Sequence, residues 1–307
     1  MFPINLISIR RRSSLLSAAV AALAIPVVAT PALAAADDSS FQEARELYAH
    51  KFYKEAIPKL QTYLNQNPTG ADAPQAEFTL AGAYVQTKDW QNAATTFSRF
   101  LEMNKDEADR PTAQYYLGEA YNHLKGSQKA IEAYHSFLAA NKEPENRPYA
   151  EAHLGDNEYR IADASGAVEH YRAAAAAFRM VLAEPAAKTQ AAVLPYANYW
   201  LGESLYQAKD FAGAAQAFNT VIQQYPQSQE YGDALLGRGV ALAASDDPTD
   251  KKTAAVVLQQ VADKFPGTTR SADAMSALAV SLYARQDYPA AAAAYQKLLD
   301  NAQGGTY

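Results

Sequence analysis

The sequence predicts an all-α solenoid of about seven stacked helix pairs that follows an N-terminal export signal. Three observations support this prediction: a residue pattern that recurs along most of the chain, a composition that favours helices, and a distinct N-terminal segment. The 307 residues are 49% hydrophobic, and alanine runs recur throughout. Because alanine is the strongest helix former and β-branched clusters are scarce, this composition favours packed helices over sheets.

The recurring pattern is an apolar residue followed by a small one, with an alanine about twelve residues after the small residue. The sequence L-G-E-A-Y at 117–121, followed by Ala130 and then Tyr134, is one such pattern. The alanines are separated by 37, 37, 37, 47, 40 and 37 residues; they are Ala56, Ala93, Ala130, Ala167, Ala214, Ala254 and Ala291. A nearly constant period of this length is typical of a solenoid, in which each helix pair buries its apolar face against its neighbours.

The pattern also predicts how the two helices of a pair, helix A and helix B, pack together. Gly118 on helix A and Ala130 on helix B are small enough for the two backbones to approach closely, and Leu117 fills the space beside them. Polar turns such as Lys88-Asp89 separate helix A from helix B. Helix B is expected to end before the prolines at 68, 226 and 266, because proline disfavours helix in the preceding residue.

These signals place the seven pairs at 37–73, 74–110, 111–147, 148–190, 195–228, 231–269 and 270–302. Repeats one to four therefore occupy 37–190, repeats five to seven occupy 195–302, and 303–307 is a polar tail or a truncation point. Repeat four is degenerate, since Glu158 replaces a Tyr or Leu and an alanine run at 173–177 lengthens helix B. Either a longer helix with a connector or a bend between two lobes accounts for it. No capping helix precedes Tyr307, so we expect either a cap supplied by a partner or a longer protein.

The first 34 residues have the three parts of a secretory signal peptide. Arginines at 10–12 precede an apolar stretch from about 15 to 28, and Ala32-Leu33-Ala34 provides a small-residue cleavage site. An uncleaved membrane anchor is the alternative, although Pro26 and Pro31 interrupt the apolar stretch. The sequence leaves the Sec and twin-arginine routes open, and it predicts a periplasmic or secreted mature chain.

The absence of cysteine and the charge balance exclude several classes of function. Without cysteine there are no disulfides, thiolate nucleophiles or Cys-ligated metals, and no lipobox to anchor a lipoprotein. Cleavage after Ala34 leaves 24 basic and 33 acidic residues, a net charge of −9. A chain this acidic is not expected to bind nucleic acid or to insert directly into a membrane.

The repeats resemble a known family. L-G-E-A-Y at 117–121, L-G-E-S-L at 201–205 and the spacing of the later Ala, bulky residue and Pro resemble the tetratricopeptide repeat. The segments Y-P-Q-S at 225–228 and F-P-G-T at 265–268 resemble the extended-loop repeats of periplasmic envelope-assembly proteins. Those proteins include the outer-membrane assembly lipoprotein and the Tol-Pal-associated division coordinator. The resemblance implies a right-handed superhelix, although this chain has neither a lipobox Cys nor an N-terminal coiled coil.

No motif in the chain predicts catalysis, a cofactor or a metal site. The five histidines form no metal-binding spacing, and there is no nucleophile elbow, Walker loop or dinucleotide fingerprint. His153 and Asp156 share a helix face and are expected to be a surface pair. Glu119 and Glu203 occupy equivalent repeat positions, which favours a structural or recognition role over catalysis.

The resemblance implies that helix A residues face a concave groove that binds protein or peptide partners. These residues are Phe78, Val85, Tyr115, Glu119, Asn122, Tyr159, Arg160, Tyr199, Glu203 and Tyr206. Tyrosine and arginine are enriched at binding hot spots, but the rings among them also suit packing between repeats. We therefore expect a non-catalytic scaffold of the bacterial envelope. The recognition arm of a larger envelope enzyme and a glycan- or peptidoglycan-binding protein are alternatives, and the oligomeric state is not predicted.

Overall fold

The structure, a computed structural model, describes residues 39–140, 146–184 and 192–303. The predicted signal peptide and residues 304–307 of the predicted tail lie outside this part of the chain. The described residues form fourteen helices and no strand, so the prediction of seven helix pairs is confirmed. The helices are α1 (Ser39–Ala49), α2 (Tyr53–Gln66), α3 (Ala73–Gln86), α4 (Trp90–Met103), α5 (Arg110–His123), α6 (Ser127–Ala140), α7 (Arg147–Ser165), α8 (Val168–Ala183), α9 (Val193–Gln207), α10 (Phe211–Gln224), α11 (Tyr231–Ala244), α12 (Pro248–Lys264), α13 (Thr269–Ala284) and α14 (Tyr288–Gln303).

The described residues fall into two compact units, divided between Ile161 and Ala162 inside α7. In the first unit each helix from α1 to α6 packs on the next, and α1 contacts α3 as α3 contacts α5. The second unit repeats this arrangement from α8 to α14, with α9 against α11 and α11 against α13. Odd-numbered helices are therefore the A helices, and within each unit they lie side by side.

In repeats three and five the two helices of a pair are held together by a large ring on helix B that packs against a glycine on helix A. A Cβ atom added to Gly118 would lie 2.7 Å from the ring of Tyr134, which is closer than a real Cβ approaches any neighbour. Gly202 has the same relation to Phe218, and so does Gly237 in the next repeat, both at 2.7 Å. The ring of Phe218 therefore fills the space between two successive A helices, as close packing of a protein interior requires.

Repeat four departs from the register predicted by its alanines. Ala167 precedes α8 with an extended backbone, φ −79° and ψ 112°, and it is only partly buried. The positions of Ala130 and Tyr134 are taken instead by Ala174 and Phe178, which are fully buried. The assignment of Ala167 is therefore wrong, because the main insertion lengthens helix A: α7 has 19 residues where α5 has 14.

Three of the turns between helix A and helix B share one backbone geometry. Lys88, Lys125 and Lys209 have φ of 60°, 59° and 66°, in the left-handed region where a side chain is strained. In each turn the next residue donates its N–H back to the helix, as Asp89 does to the carbonyl of Tyr84 at 2.8 Å. This is the Schellman arrangement, which satisfies a carbonyl that the end of the helix leaves open.

A second repeated contact joins helix B to the next helix A. Nη1 of Arg110 donates to the carbonyl of Leu101 at 2.6 Å, and Nη1 of Arg147 donates to that of Leu138 at 3.0 Å. In both cases the acceptor is nine residues earlier, near the C-terminus of helix B. A cation at this position satisfies open carbonyls and interacts favourably with the helix dipole.

Candidate partner-binding surface

All the predicted groove residues except Arg160 occupy three rows of helix A, at three residues before and one and four residues after the small residue. The first row is buried. Phe78 and Tyr115 are 0% and 1% exposed, and their rings pack against those of helix B, as Tyr115 does against Phe137 at 5.3 Å. Tyr199 in the second unit is also buried and lies 5.8 Å from the ring of Phe218. These three rings belong to the core, so the prediction that they line a binding surface is wrong for them.

The row four residues after the small residue lies nearer the surface. Val85, Asn122 and Tyr159 hold this position in repeats two, three and four, 37 residues apart, and all three are partly exposed. Arg160 follows Tyr159 and is exposed. These four predicted groove residues of the first unit therefore lie where solvent reaches them.

Glu119, in the row between these two, belongs to a buried polar cluster. Its Oε1 accepts a hydrogen bond from the hydroxyl of Tyr134 at 2.5 Å and lies 3.2 Å from Nε2 of His153. Nδ1 of His153 lies 3.6 Å from Oδ2 of Asp156. His153 is 2% exposed, so the prediction of a surface His–Asp pair is wrong.

The protonation of this cluster follows from its surroundings. Burial alone would lower the pKa of His153, but the carboxylates of Glu119 and Asp156 favour the imidazolium, and the pKa lies above its ordinary value. Burial, and then the charge of Glu119, raise the pKa of the Tyr134 hydroxyl, which stays neutral and donates to the carboxylate. The cluster combines an imidazole whose pKa is raised with two carboxyl groups beneath the exposed row.

A second network brings three of the predicted residues close to this cluster. Nδ2 of Asn157 donates to the carbonyl of His153 at 2.8 Å and to Oδ1 of Asn122 at 3.2 Å. Arg160 donates to Oδ1 of Asn157 at 2.9 Å and to Oδ1 of Asn122 at 3.2 Å. Glu119, Asn122 and Arg160 thus lie together at the junction of α5 and α7.

The sequence interpretation missed Asn157 and the burial of His153. His153 directly precedes the Leu-Gly pair of its repeat, the position of Tyr116 in repeat three and Leu235 in repeat six. Both of those residues are buried. Comparing this position across the repeats would have predicted a buried histidine.

Glu203 holds the position of Glu119 in the second unit, in different surroundings. Phe218 replaces Tyr134 and has no hydroxyl, while Leu235 replaces His153 and has no charge. Oε1 of Glu203 makes no hydrogen bond within the described residues, and the side chain is 5% exposed. Burial raises the pKa of Glu203 to about 7, although a hydrogen bond with Tyr199 opposes this shift.

Tyr206 is the remaining predicted residue. It is partly exposed and its ring lies 5.5 Å from that of Phe211, across the turn between α9 and α10. Burial and the charge of Glu203 raise its pKa to about 12. In the second unit only Tyr206 of the three predicted residues therefore reaches the surface.

Residues 39–140, 146–184 and 192–303 contain no group of three His, Asp or Glu side chains placed to hold a metal ion. In the same ranges no helix is long and apolar enough to cross a membrane.

Comparisons with protein families agree with this geometry. The model of the YfiO family, described as an outer membrane lipoprotein, matches residues 34–153. Two tetratricopeptide-repeat families match residues 196–228 and 249–306. A comparison with curated proteins gave no match.

Solved structures share the fold at low sequence identity. The C-terminal part of a TPR repeat-containing protein from Cytophaga hutchinsonii is 19% identical with a TM-score of 0.56, covering 85% of this chain and 94% of its own. A tetratricopeptide repeat protein from Parabacteroides merdae is 15% identical with a TM-score of 0.50, covering 86% and 93%. YrrB, described as a TPR protein with an unusual peptide-binding site, is 17% identical with a TM-score of 0.52, covering 74% and 97%.

The stacked helix pairs, the small-residue contacts and these matches define a TPR-like solenoid. Residues 196–228 and 249–306 match tetratricopeptide-repeat families, and over residues 34–153 the predicted resemblance to outer-membrane lipoproteins is confirmed.

Proposed function

We propose that this chain is a non-catalytic scaffold that holds protein or peptide partners in the bacterial cell envelope. The proposal rests on the arrangement of Asn122, Tyr159 and Arg160 on neighbouring A helices. These side chains combine an exposed charge, an aromatic ring and an amide on a rigid support. Side chains of these types provide contact area and directional hydrogen bonds at protein interfaces.

The envelope location rests on two further observations. The N-terminal segment has the parts of a cleavable export signal. The match to the outer-membrane lipoprotein family begins at residue 34, the last residue of that segment. The mature chain is therefore proposed to begin at Ala35 and to act in the periplasm or outside the cell. Determining the N-terminus of the protein from fractionated cells tests this, and an intact N-terminus in the cytoplasmic fraction would contradict it.

Site-specific photo-crosslinking tests the binding surface. A photoreactive amino acid replaces Tyr159 in the mature chain, and a matched variant carries it at Glu132, an exposed position on the B helix α6. After incubation with an envelope extract, we expect discrete protein adducts from position 159 and none from position 132. Equal adducts at both positions, or none at either, would contradict a partner-binding role for this face.

A further inference from the structure

Arg160 is held in place by three hydrogen bonds, of which one lies within α7 and two cross to α5 and α6. Nη1 donates to Oδ1 of Asn157 at 2.9 Å and to Oγ of Ser127 at 3.1 Å. Nη2 donates to Oδ1 of Asn122 at 3.2 Å. The side chain is nevertheless exposed to solvent.

All three acceptors are neutral, so the contacts position the guanidinium without neutralising its charge. Asp156 lies one turn earlier on α7 and contacts His153. Asp163 lies one turn later on the same helix. Among the described residues no carboxylate forms an ion pair with Arg160.

The hydrogen bonds also leave part of the guanidinium available. Arginine has five N–H donors, and the three contacts engage both hydrogens of Nη1 and one of Nη2. The N–H of Nε and one of Nη2 remain. A carboxylate that accepts from a guanidinium forms the strong, charge-assisted kind of hydrogen bond. Because the side chain is already ordered, binding loses less conformational entropy than it would for a free arginine.

We propose that Arg160, braced by Asn122, Asn157 and Ser127, binds a carboxylate of the partner. The carboxylate is either an Asp or Glu side chain of a bound peptide or its C-terminus. This inference rests on the proposed function, since it names the chemistry that the same surface recognises. The purely structural alternative is that Arg160 only fastens α7 to α5 and α6.

The test uses an array of random synthetic peptides, each made with a free and with an amidated C-terminus, probed with the mature chain. Peptides that bind are resynthesised with each Asp replaced by Asn and each Glu by Gln. We expect at least one carboxylate per binding peptide whose removal weakens binding about tenfold or more. Loss on amidation identifies the C-terminus as the source, and loss on side-chain replacement identifies an acidic residue.

Two variants connect this preference to Arg160. Arg160→Gln removes the charge, and Asn122→Asp places an internal carboxylate at the position that accepts from Nη2. Both are expected to abolish the preference for the carboxylate form. Arg172→Gln, the control, makes the same charge change at an exposed position in α8. We expect this variant to keep the preference for the carboxylate form. Thermal melting confirms that each variant is folded.

The outcomes separate this inference from the proposed function. Wild-type protein that binds no peptide of the array contradicts both proposals. Peptides that bind equally well with and without their carboxylates contradict the carboxylate site alone. A carboxylate preference that survives in both folded variants would also overturn it and would leave Arg160 as a brace.

Discussion

Nε2 of His153 in α7 lies 3.2 Å from Oε1 of Glu119 in α5, so a buried contact joins the A helices of repeats three and four. The hydroxyl of Tyr134 donates to the same carboxylate oxygen from α6. Three helices thus converge on one carboxylate directly beneath the exposed row that contains Asn122. The stability of this contact therefore bears on the geometry of the proposed binding surface.

Protonation of His153 is expected to stabilise this junction. The pKa of His153 is raised in the folded protein by Glu119 and Asp156 despite burial. Because the folded state holds the proton more tightly, this stabilisation is fully present below about pH 6.5 and is lost as the pH rises through the folded pKa. Hydrogen exchange, corrected for intrinsic rates, should show amides of α5 and α7 losing protection over that interval.

His153→Gln should remove this pH dependence. His50→Gln, at an exposed position in the first unit, provides the control and should keep it. The same loss of protection in the His153 variant would mean that another group is responsible.

Glu203 should make the second unit less stable as the pH rises. Burial raises its pKa to about 7 from an ordinary value of 4.5, so the folded state binds the proton more tightly than the unfolded state. Stability should fall between about pH 4.5 and about pH 7, in total by roughly 3 kcal/mol, and should change little from this source at higher pH. The free energy of opening of amides in α9 to α11 measures this effect.

Glu203→Gln should give a flat profile over the same interval and a more stable second unit at neutral pH. An exposed glutamate in α6, changed by Glu132→Gln, is the matched control. A variant with the wild-type slope would show that Glu203 is not the titrating group.

Gly202→Ala should destabilise the second unit although alanine favours helices. The added Cβ would lie 2.7 Å from the ring of Phe218, which is fully buried and also packs against Gly237. Overpacking of this kind costs about 1–3 kcal/mol, against a gain in helix propensity of at most about 1 kcal/mol. Urea unfolding monitored by circular dichroism measures the difference.

A double-mutant cycle with Phe218→Leu identifies the cause of that loss. If the ring is responsible, the double variant should be less destabilised than the sum of the two single changes. If the destabilisations of the two single variants simply add, a contact other than the ring of Phe218 causes the effect of Gly202→Ala.

The period of the repeat could be predicted from sequence because a small residue recurs on helix B in each pair with a bulky apolar residue four positions later, as Ala130 with Tyr134 and Ala254 with Leu258. In repeat four this signal is ambiguous, since Ala167 and the run at 173–177 offer several small residues. Ala167 and Ala174 each have a buried ring four residues later, Tyr171 and Phe178, but of the two alanines only Ala174 is itself buried. An added turn in α7 therefore appeared in the sequence as an alanine-rich extension of helix B.

The binding surface was harder to predict than the fold. The helix A spacing predicts that Phe78 and Asn122 share one face, yet Phe78 is in the core and Asn122 is partly exposed. An A helix packs against helices on several sides, so helical periodicity alone does not separate these rows. One of the hydrogen bonds that position Arg160 is to Asn157, and Asn157 belongs to no sequence motif that would have identified it.

Replacing Lys209 by glycine should stabilise the second unit. Lys209 has φ 66°, and the left-handed conformation costs a residue with a side chain about 1 kcal/mol, which glycine avoids. Glycine also forfeits the favourable interaction of lysine with the helix dipole, about 0.3 kcal/mol, so we expect a net gain of about 0.7 kcal/mol in urea unfolding.

The reverse change is available at Gly166, which has φ 72° in the turn between α7 and α8. A Cβ there would meet no atom within 4 Å, so Gly166→Ala isolates the backbone cost without a packing change. It should destabilise the protein by about 1 kcal/mol. If both substitutions were neutral, the left-handed turns would carry no strain. Lysine at 88, 125 and 209 would then follow from the helix dipole alone.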